Sequence, residues 1–166
     1  IAAAIHGKFP PRPRVTELVP TALTERATWR FTLEKPAEDW FKPGFDASSW
    51  KEGRAGFGTK GTPGAVVRTE WKTADIWLRR EFDLQTGKSD DLRLLIHHDE
   101  DAEVYLNGVL AARAPGFASD YEKFPMNPDA RAALKPTGNV MAVHCHQTAG
   151  GQYIDAGIVK VEIPRE

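Results

Sequence analysis

A two-layer, all-β sandwich of antiparallel strands is the fold class this sequence predicts, and three observations predict it. Short runs rich in β-branched, aromatic and leucine residues recur along the chain: TWRFTL (28–33), DIWLRREFDL (75–84), DLRLLIHH (91–98), AEVYLNGVLAA (102–112), NVMAVHCH (139–146) and GIVKVEI (157–163). The gaps between them are filled by Gly, Pro, Asn and Asp, and 14 glycines with 12 prolines in 166 residues are enough to punctuate many short elements. Only NPDARAAL (127–134) reads as a helical turn, with Asp129 as its expected cap.

Taken in chain order, residues 1–28 read as an N-terminal arm or linker. KFPPRPR (8–14) is basic and proline-dense, and proline fixes φ and offers no amide donor, which keeps such a stretch extended. The leading IAAAIHGK is apolar but lacks a basic start, so it is not read as a complete signal peptide. Residues 29–166 read as one sandwich domain, a length that suits a single core. The glycine-rich GFGTKGTPG (56–64) reads as a flexible loop, because it has no Gly-Lys-Ser/Thr ending and no helix pattern after it. In DIWLRREF, Ile76, Leu78 and Arg80 fall on one face and Trp77, Arg79 and Glu81 on the other, so both faces of this strand need cover. Asn107-Gly108 suits a hairpin turn, since both residues tolerate positive φ.

Charge and cysteine content exclude several function classes. Twenty-two basic against 23 acidic residues, with no long run of either sign, give no electrostatic footprint for nucleic acid or an anionic membrane. No window approaches the roughly 18 apolar residues that a spanning helix needs. The single cysteine, Cys145, can close no internal disulfide, and its mid-strand place beside Met141 and Val143 predicts an inert core thiol. There is no Gly-x-Ser-x-Gly elbow for a serine nucleophile.

The chemistry-bearing residues gather at strand ends. With DIWLRREFDL and DLRLLIHH as consecutive antiparallel strands, and NVMAVHCH antiparallel to the first, one pole collects Trp71, Asp75, His97, Asp99, Asp101, His146, Gln147, Gln152, Tyr153 and Asp155. Trp and Tyr offer flat faces for sugar C–H groups, while Asp, Gln and His supply directional bonds to hydroxyls. This predicts a carbohydrate-binding rim with Trp71 or Tyr153 as the stacking platform. Tyr153→Ala is then expected to weaken sugar binding and spare the fold, while Trp77→Ala is expected to damage the core.

Two further constellations are weighed against that reading. His144 and His146 lie on one strand face, about 6.7 Å apart along it, and Gly138 with His144-Cys145-His146 matches the opening of a cupin metal motif, with His97 or His98 as a third nitrogen. The expected glutamate is missing: Ala149, Gly150, Gly151 and Gln152 stand there instead, so the metal-dependent enzyme is the lesser alternative. HHDED (97–101) has acids but not the spacing of a calcium loop, so no cofactor is assigned and structural calcium is the one ion left open. Asp99 with Asp155 is the carboxylate pair to check for glycosidase geometry.

Four phrases in order, FDASSWKEGRAGFG (45–58), TADIWLRREFDL (73–84), HHDEDAEVYLNGVLAA (97–112) and LKPTGNVMAVHCHQTAGGQYIDAGI (134–158), resemble the galactose-binding-like jelly-roll domains of glycoside hydrolases, notably those ahead of the barrel in β-galactosidase and β-glucuronidase relatives. The resemblance covers residues 29–163. It implies a non-catalytic sandwich, either a carbohydrate-binding module for an oligo- or polysaccharide or a domain packing on a neighbouring catalytic module of a secreted or periplasmic enzyme. It also marks Trp50, Phe57, Trp77, Tyr105 and Asn107 as core or turn residues. HCHQTAGGQYID (144–155) is longer than the corresponding loop in many of those domains.

Overall fold

The computed structural model describes residues 10–164. Its strands are β1 (Arg14–Val19), β2 (Thr28–Thr32), β3 (Lys51–Arg54), β4 (Phe57–Gly58), β5 (Thr69–Glu70), β6 (Asp75–Phe82), β7 (Asp91–Asp99), β8 (Asp101–Leu106), β9 (Val109–Ala114), β10 (Glu122–Pro125), β11 (Asn139–His146) and β12 (Tyr153–Glu162), with one short helix, α1 (Pro128–Ala132). They form two six-stranded sheets, a β-sandwich. The first runs β10-β7-β12-β4-β5, with β1 also on β12; the second runs β3-β2-β6-β11-β8-β9.

Period-2 alternation explains the core. Ile76 and Leu78 of β6, Val104 and Leu106 of β8, and Met141, Val143 and Cys145 of β11 meet Leu94 and Ile96 of β7 and Ile154, Ala156 and Ile158 of β12 between the sheets. The thiol of Cys145 is buried, and burial pushes it well above the usual range, which makes it a core residue as expected. The Asn107-Gly108 turn has φ of 49° and 82°. The Asn107 amide holds the carbonyl of Ala133 and Oδ1 of Asn139, while its Oδ1 accepts the Val140 N–H.

Four expectations need correction. β6 and β7 are not paired: β6 lies between β2 and β11, whereas β7 lies between β10 and β12, because their connector crosses between sheets and drops Leu84 into the core. The segment read as an arm contributes β1, which lines up from Arg14↔Glu162 to Val19↔Ile158 and closes an edge of β12; the rest of the arm reading, residues 1–9, lies outside the described residues. RVTELV lies between Pro13 and Pro20, contains no proline, and is free to donate its amides. Asn127, not Asp129, caps α1, its Oδ1 accepting the Asp129 N–H. Finally, the glycine-rich 56–64 segment is anchored, with Phe57 buried in β4 against Ile154.

Neither outer face is bare. The 39–45 segment covers the β6-β11-β8 face, where Phe41 stacks on Tyr105 at 4.5 Å and Trp77 stacks on His144 at 4.8 Å. On the other sheet, residues near Ala22, Val66 and Tyr121 close over Tyr153 and Asp155.

Candidate functional site

Strand register brings the predicted loops to one end of the sandwich. His146 at the end of β11 sits between Asp75 at the start of β6 and Asp101 at the start of β8. Asp99 at the end of β7 faces Tyr153 at the start of β12. The link Asp99-Glu100-Asp101 joins the two sheets at this pole. The Gln147 N–H donates to the carbonyl of Ala74 at 2.7 Å, and Gln152 Nε2 donates to the carbonyl of Thr73 at 2.6 Å, locking the 147–152 loop to the segment between β5 and β6.

Proximity does not make a rim of all ten residues. Trp71 is 1% exposed and Tyr153 0%, so neither offers a ring face to a sugar. The Trp71 indole N–H is spent on Thr73 Oγ1 and the Asp75 carbonyl, and the Tyr153 hydroxyl donates to the Val66 carbonyl. Tyr153→Ala is therefore expected to destabilise the fold by about 3–5 kcal/mol rather than leave it intact, read as a lowered urea midpoint. His97, Gln152 and Asp155 are also buried, with Asp155 and His97 on the clad outer face of the β7-β12 sheet beneath Tyr121. Asp75, Asp101, His146 and Gln147 remain at least partly accessible.

The other constellations separate. His97 Nε2 bonds the Ala118 carbonyl and His98 Nδ1 the carbonyls of Glu100 and Gly116, so neither joins His144 and His146 as a third nitrogen. The acids of HHDED do not converge on a shared point: Glu100 accepts from Thr148 Oγ1 and the Ala149 N–H, and Asp101 accepts from the Gly116 N–H. Asp155 is held by the Ala22 N–H and the Tyr121 hydroxyl, turned away from any substrate that Asp99 could face.

The accessible recess at this pole is a cleft of about 330 Å³ between Pro63, Asp99-Glu100, Phe117-Ala118-Ser119 and Ala149-Gly150-Gly151. Phe117 stands 74% exposed while its backbone bridges to Asp99. Asp99 itself is 8% exposed, and burial with the adjacent Glu100 charge pushes its carboxyl above the usual range. Gly151 packs closely here: a Cβ on it would lie 2.8 Å from Asp99 Oδ2 and 3.1 Å from Thr62 Cγ2, so a side chain would push the Asp99 carboxyl aside. Sequence reasoning found Asp99 and the glycine loop but missed Phe117 and Tyr121. The signal available for Phe117 was an aromatic in APGFASD (114–120), a turn-rich stretch with no alternation to bury it. A larger cleft, about 430 Å³, opens at the opposite end of β6, lined by Phe45–Ser48 and Arg79–Glu81 and edged by the Arg30–Glu52 ion pair.

No protein-family profile matches the chain. It is 30% identical over 123 residues to an α-L-rhamnosidase of Streptomyces avermitilis, a match that spans 71% of this chain and 12% of that protein. In fold it is similar to part of a Bacteroides uniformis β-glucuronidase (TM-score 0.56, 18% identity, 90% of this chain and 18% of that one). It is likewise similar to part of a glycosyl hydrolase family 2 member of Bacteroides cellulosilyticus (0.53, 16%, 79% and 20%) and of a Bifidobacterium dentium β-glucuronidase (0.52, 14%, 89% and 30%). The chain thus spans about an eighth of its sequence relative and under a third of each structural one. Its β-sandwich is a fold that these glycosidases carry as one part of much longer chains.

Proposed function

We propose that this domain is a non-catalytic carbohydrate-binding module of a larger, exported glycan-degrading enzyme, and that it holds a glycan end in the Phe117–Asp99 cleft. The observation that carries the reading is the exposed Phe117 side chain lining a recess that it shares with Asp99, Glu100, Gly150 and Gly151. An apolar ring face beside directional acceptors matches the two-sided chemistry of a pyranose, and the recess volume is at the lower end of ligand pockets. A few such contacts must offset lost freedom and stripped hydration, so the affinity is modest.

Calorimetric titration of the domain with oligosaccharides ending in rhamnose, glucuronate or galactose, with and without a calcium chelator, tests this. Saturable binding by the wild type and its loss in Phe117→Ala, with an unchanged melting temperature, is the expected result. Failure of the wild type to bind any of them removes the proposal.

A second reading, a scaffold domain docked on a catalytic module, is favoured by a different observation. The similar solved chains are several times longer than this one, and Leu23, Phe117 and Ile163 are exposed apolar side chains. Under it, Phe117→Ala leaves glycan titrations flat in both proteins and weakens association with the adjoining module.

A further inference from the structure

The outer face of the second sheet carries a cluster that glycan holding does not use. Asp75 on β6 lies directly across from His146 on β11, and His144, two residues earlier, shares that face. His144 Nε2 and His146 Nδ1 each lie 2.8 Å from the same atom, Asp75 Oδ1. One imidazole reaches with its far nitrogen and the other folds back with its near one, so two potential ligand atoms meet at one oxygen. We infer that Asp75, His144 and His146 form a surface site for a single divalent late transition-metal ion such as Zn²⁺.

The fit is geometric. Around a tetrahedral ion with bonds of about 2.0–2.1 Å, ligand atoms stand about 3.3–3.4 Å apart. The present 2.8 Å contacts to Asp75 Oδ1 are shorter than that by about half an ångström, so the three groups must move apart to admit the ion. As they stand the groups are hydrogen-bonded to one another, and among the described residues no three such side chains are already spread around an ion position. An ion bound here takes the lone pairs of His144 Nε2 and His146 Nδ1, so in the bound state each ring carries its N–H on the other nitrogen.

The surroundings favour a cation. Asp101 on β8 lies across from His146, and Glu103 lies across from His144. Asp101 accepts the Gly116 N–H, and Glu103 accepts the Tyr105 hydroxyl and faces Arg113 at 3.9 Å, so the carboxylate charge is only partly offset. The His144 ring is pre-set by Trp77, nearly parallel at 7°, and by the edge of Trp40 at 6.4 Å. Two imidazoles select a late transition metal over calcium or magnesium. Side chains 25–45% exposed leave a coordination position for water. None of the three ligands lines the Phe117 cleft.

The tag-free protein, stripped with chelator, is titrated calorimetrically with ZnCl₂ at pH 7.5. One ion per chain is expected, with affinity falling by more than about tenfold in His144→Ala, in His146→Gln and in Asp75→Asn. Retention of the untagged wild type, but not of a His144→Ala/His146→Ala double variant, on immobilised nickel is the second readout. His146→Gln alters a side chain 45% exposed, so it remains informative even if Asp75→Asn fails to fold. Absence of stoichiometric zinc binding, or undiminished binding by the double variant, overturns the inference.

Discussion

Asp155→Ala is expected to destabilise the domain by about 3–5 kcal/mol, measured as a fall in the unfolding free energy from urea titration at pH 7. Asp155 Oδ2 accepts the Ala22 N–H at 2.6 Å and the Tyr121 hydroxyl at 2.7 Å, and Oδ1 accepts its neighbour's N–H, Ala156, at 2.9 Å. The carboxyl and both amides are buried, so deletion strands the two N–H groups and leaves the half-buried Tyr121 hydroxyl with Tyr153 as its remaining partner. Burial pushes the carboxyl up from 3.8 to about 6, against the lowering effect of those donors. Protonation also completes a relay: the acid donates to Tyr121, Tyr121 to Tyr153 at 2.6 Å, and Tyr153 to the Val66 carbonyl at 3.2 Å.

The pH dependence follows from the sign of that shift. Between about pH 4 and 6 the folded state holds a proton that the unfolded chain has released, so stability falls as pH rises through this window and the full penalty stands above it. Two pH units of displacement correspond to about 3 kcal/mol at most. Asp75 works in the opposite sense but lower: burial raises its carboxyl, the bonds from His146 and His144 outweigh this, and its contribution is lost only as pH falls below the ordinary carboxylate range. Asp155→Asn keeps the shape and cannot titrate, so its stability is expected to be level from pH 4.5 to 6.5 relative to the wild type. A wild-type slope that survives in Asp155→Asn assigns the proton elsewhere.

How far the sequence carried the reading depends on which signal each residue leaves. NVMAVHCH alternates only at its end, where His144 and His146 flank Cys145, and that was enough to make the outward placement of the histidines and the inward placement of the cysteine legible. The meeting of Asp75, Asp99, Asp101 and Gln147 at one pole was legible too, though by a different route from the one expected, since β6 and β7 lie in separate sheets and meet through β11, β8 and the Asp99-Asp101 link. What alternation does not reveal is cladding. Tyr153 and Trp71 stand where a bare sandwich would show its rim, but the 56–66 segment packs over them, and no local period announces that a distant loop will cover a strand face. Phe117 is the converse, an aromatic left outside because its turn has no strand to carry it inward.

Arg79→Met is expected to cost about 3 kcal/mol and to loosen the 39–45 segment, read as faster amide exchange there than in the strands beneath. The guanidinium is buried on the outer face of β6, donating to the carbonyls of Trp40 at 2.7 Å, Lys42 at 2.8 Å, and Pro43 and Phe45 at 3.4 Å each, while its plane lies 5.5 Å from the Phe45 ring. A segment without strand partners depends on side chains to satisfy its carbonyls, and the planar fork of arginine reaches several at once where the point charge of lysine cannot. Arg79→Lys is therefore expected to recover less than half of the loss. Methionine preserves the aliphatic packing, so the deficit isolates the hydrogen bonds. The same segment delivers Trp40 to His144 and Phe41 to Tyr105, so zinc affinity at the His144 site is expected to weaken along with it. If amide exchange in 39–45 is unchanged while stability falls, the arginine supports β6 itself and the clasp assigned to it is wrong.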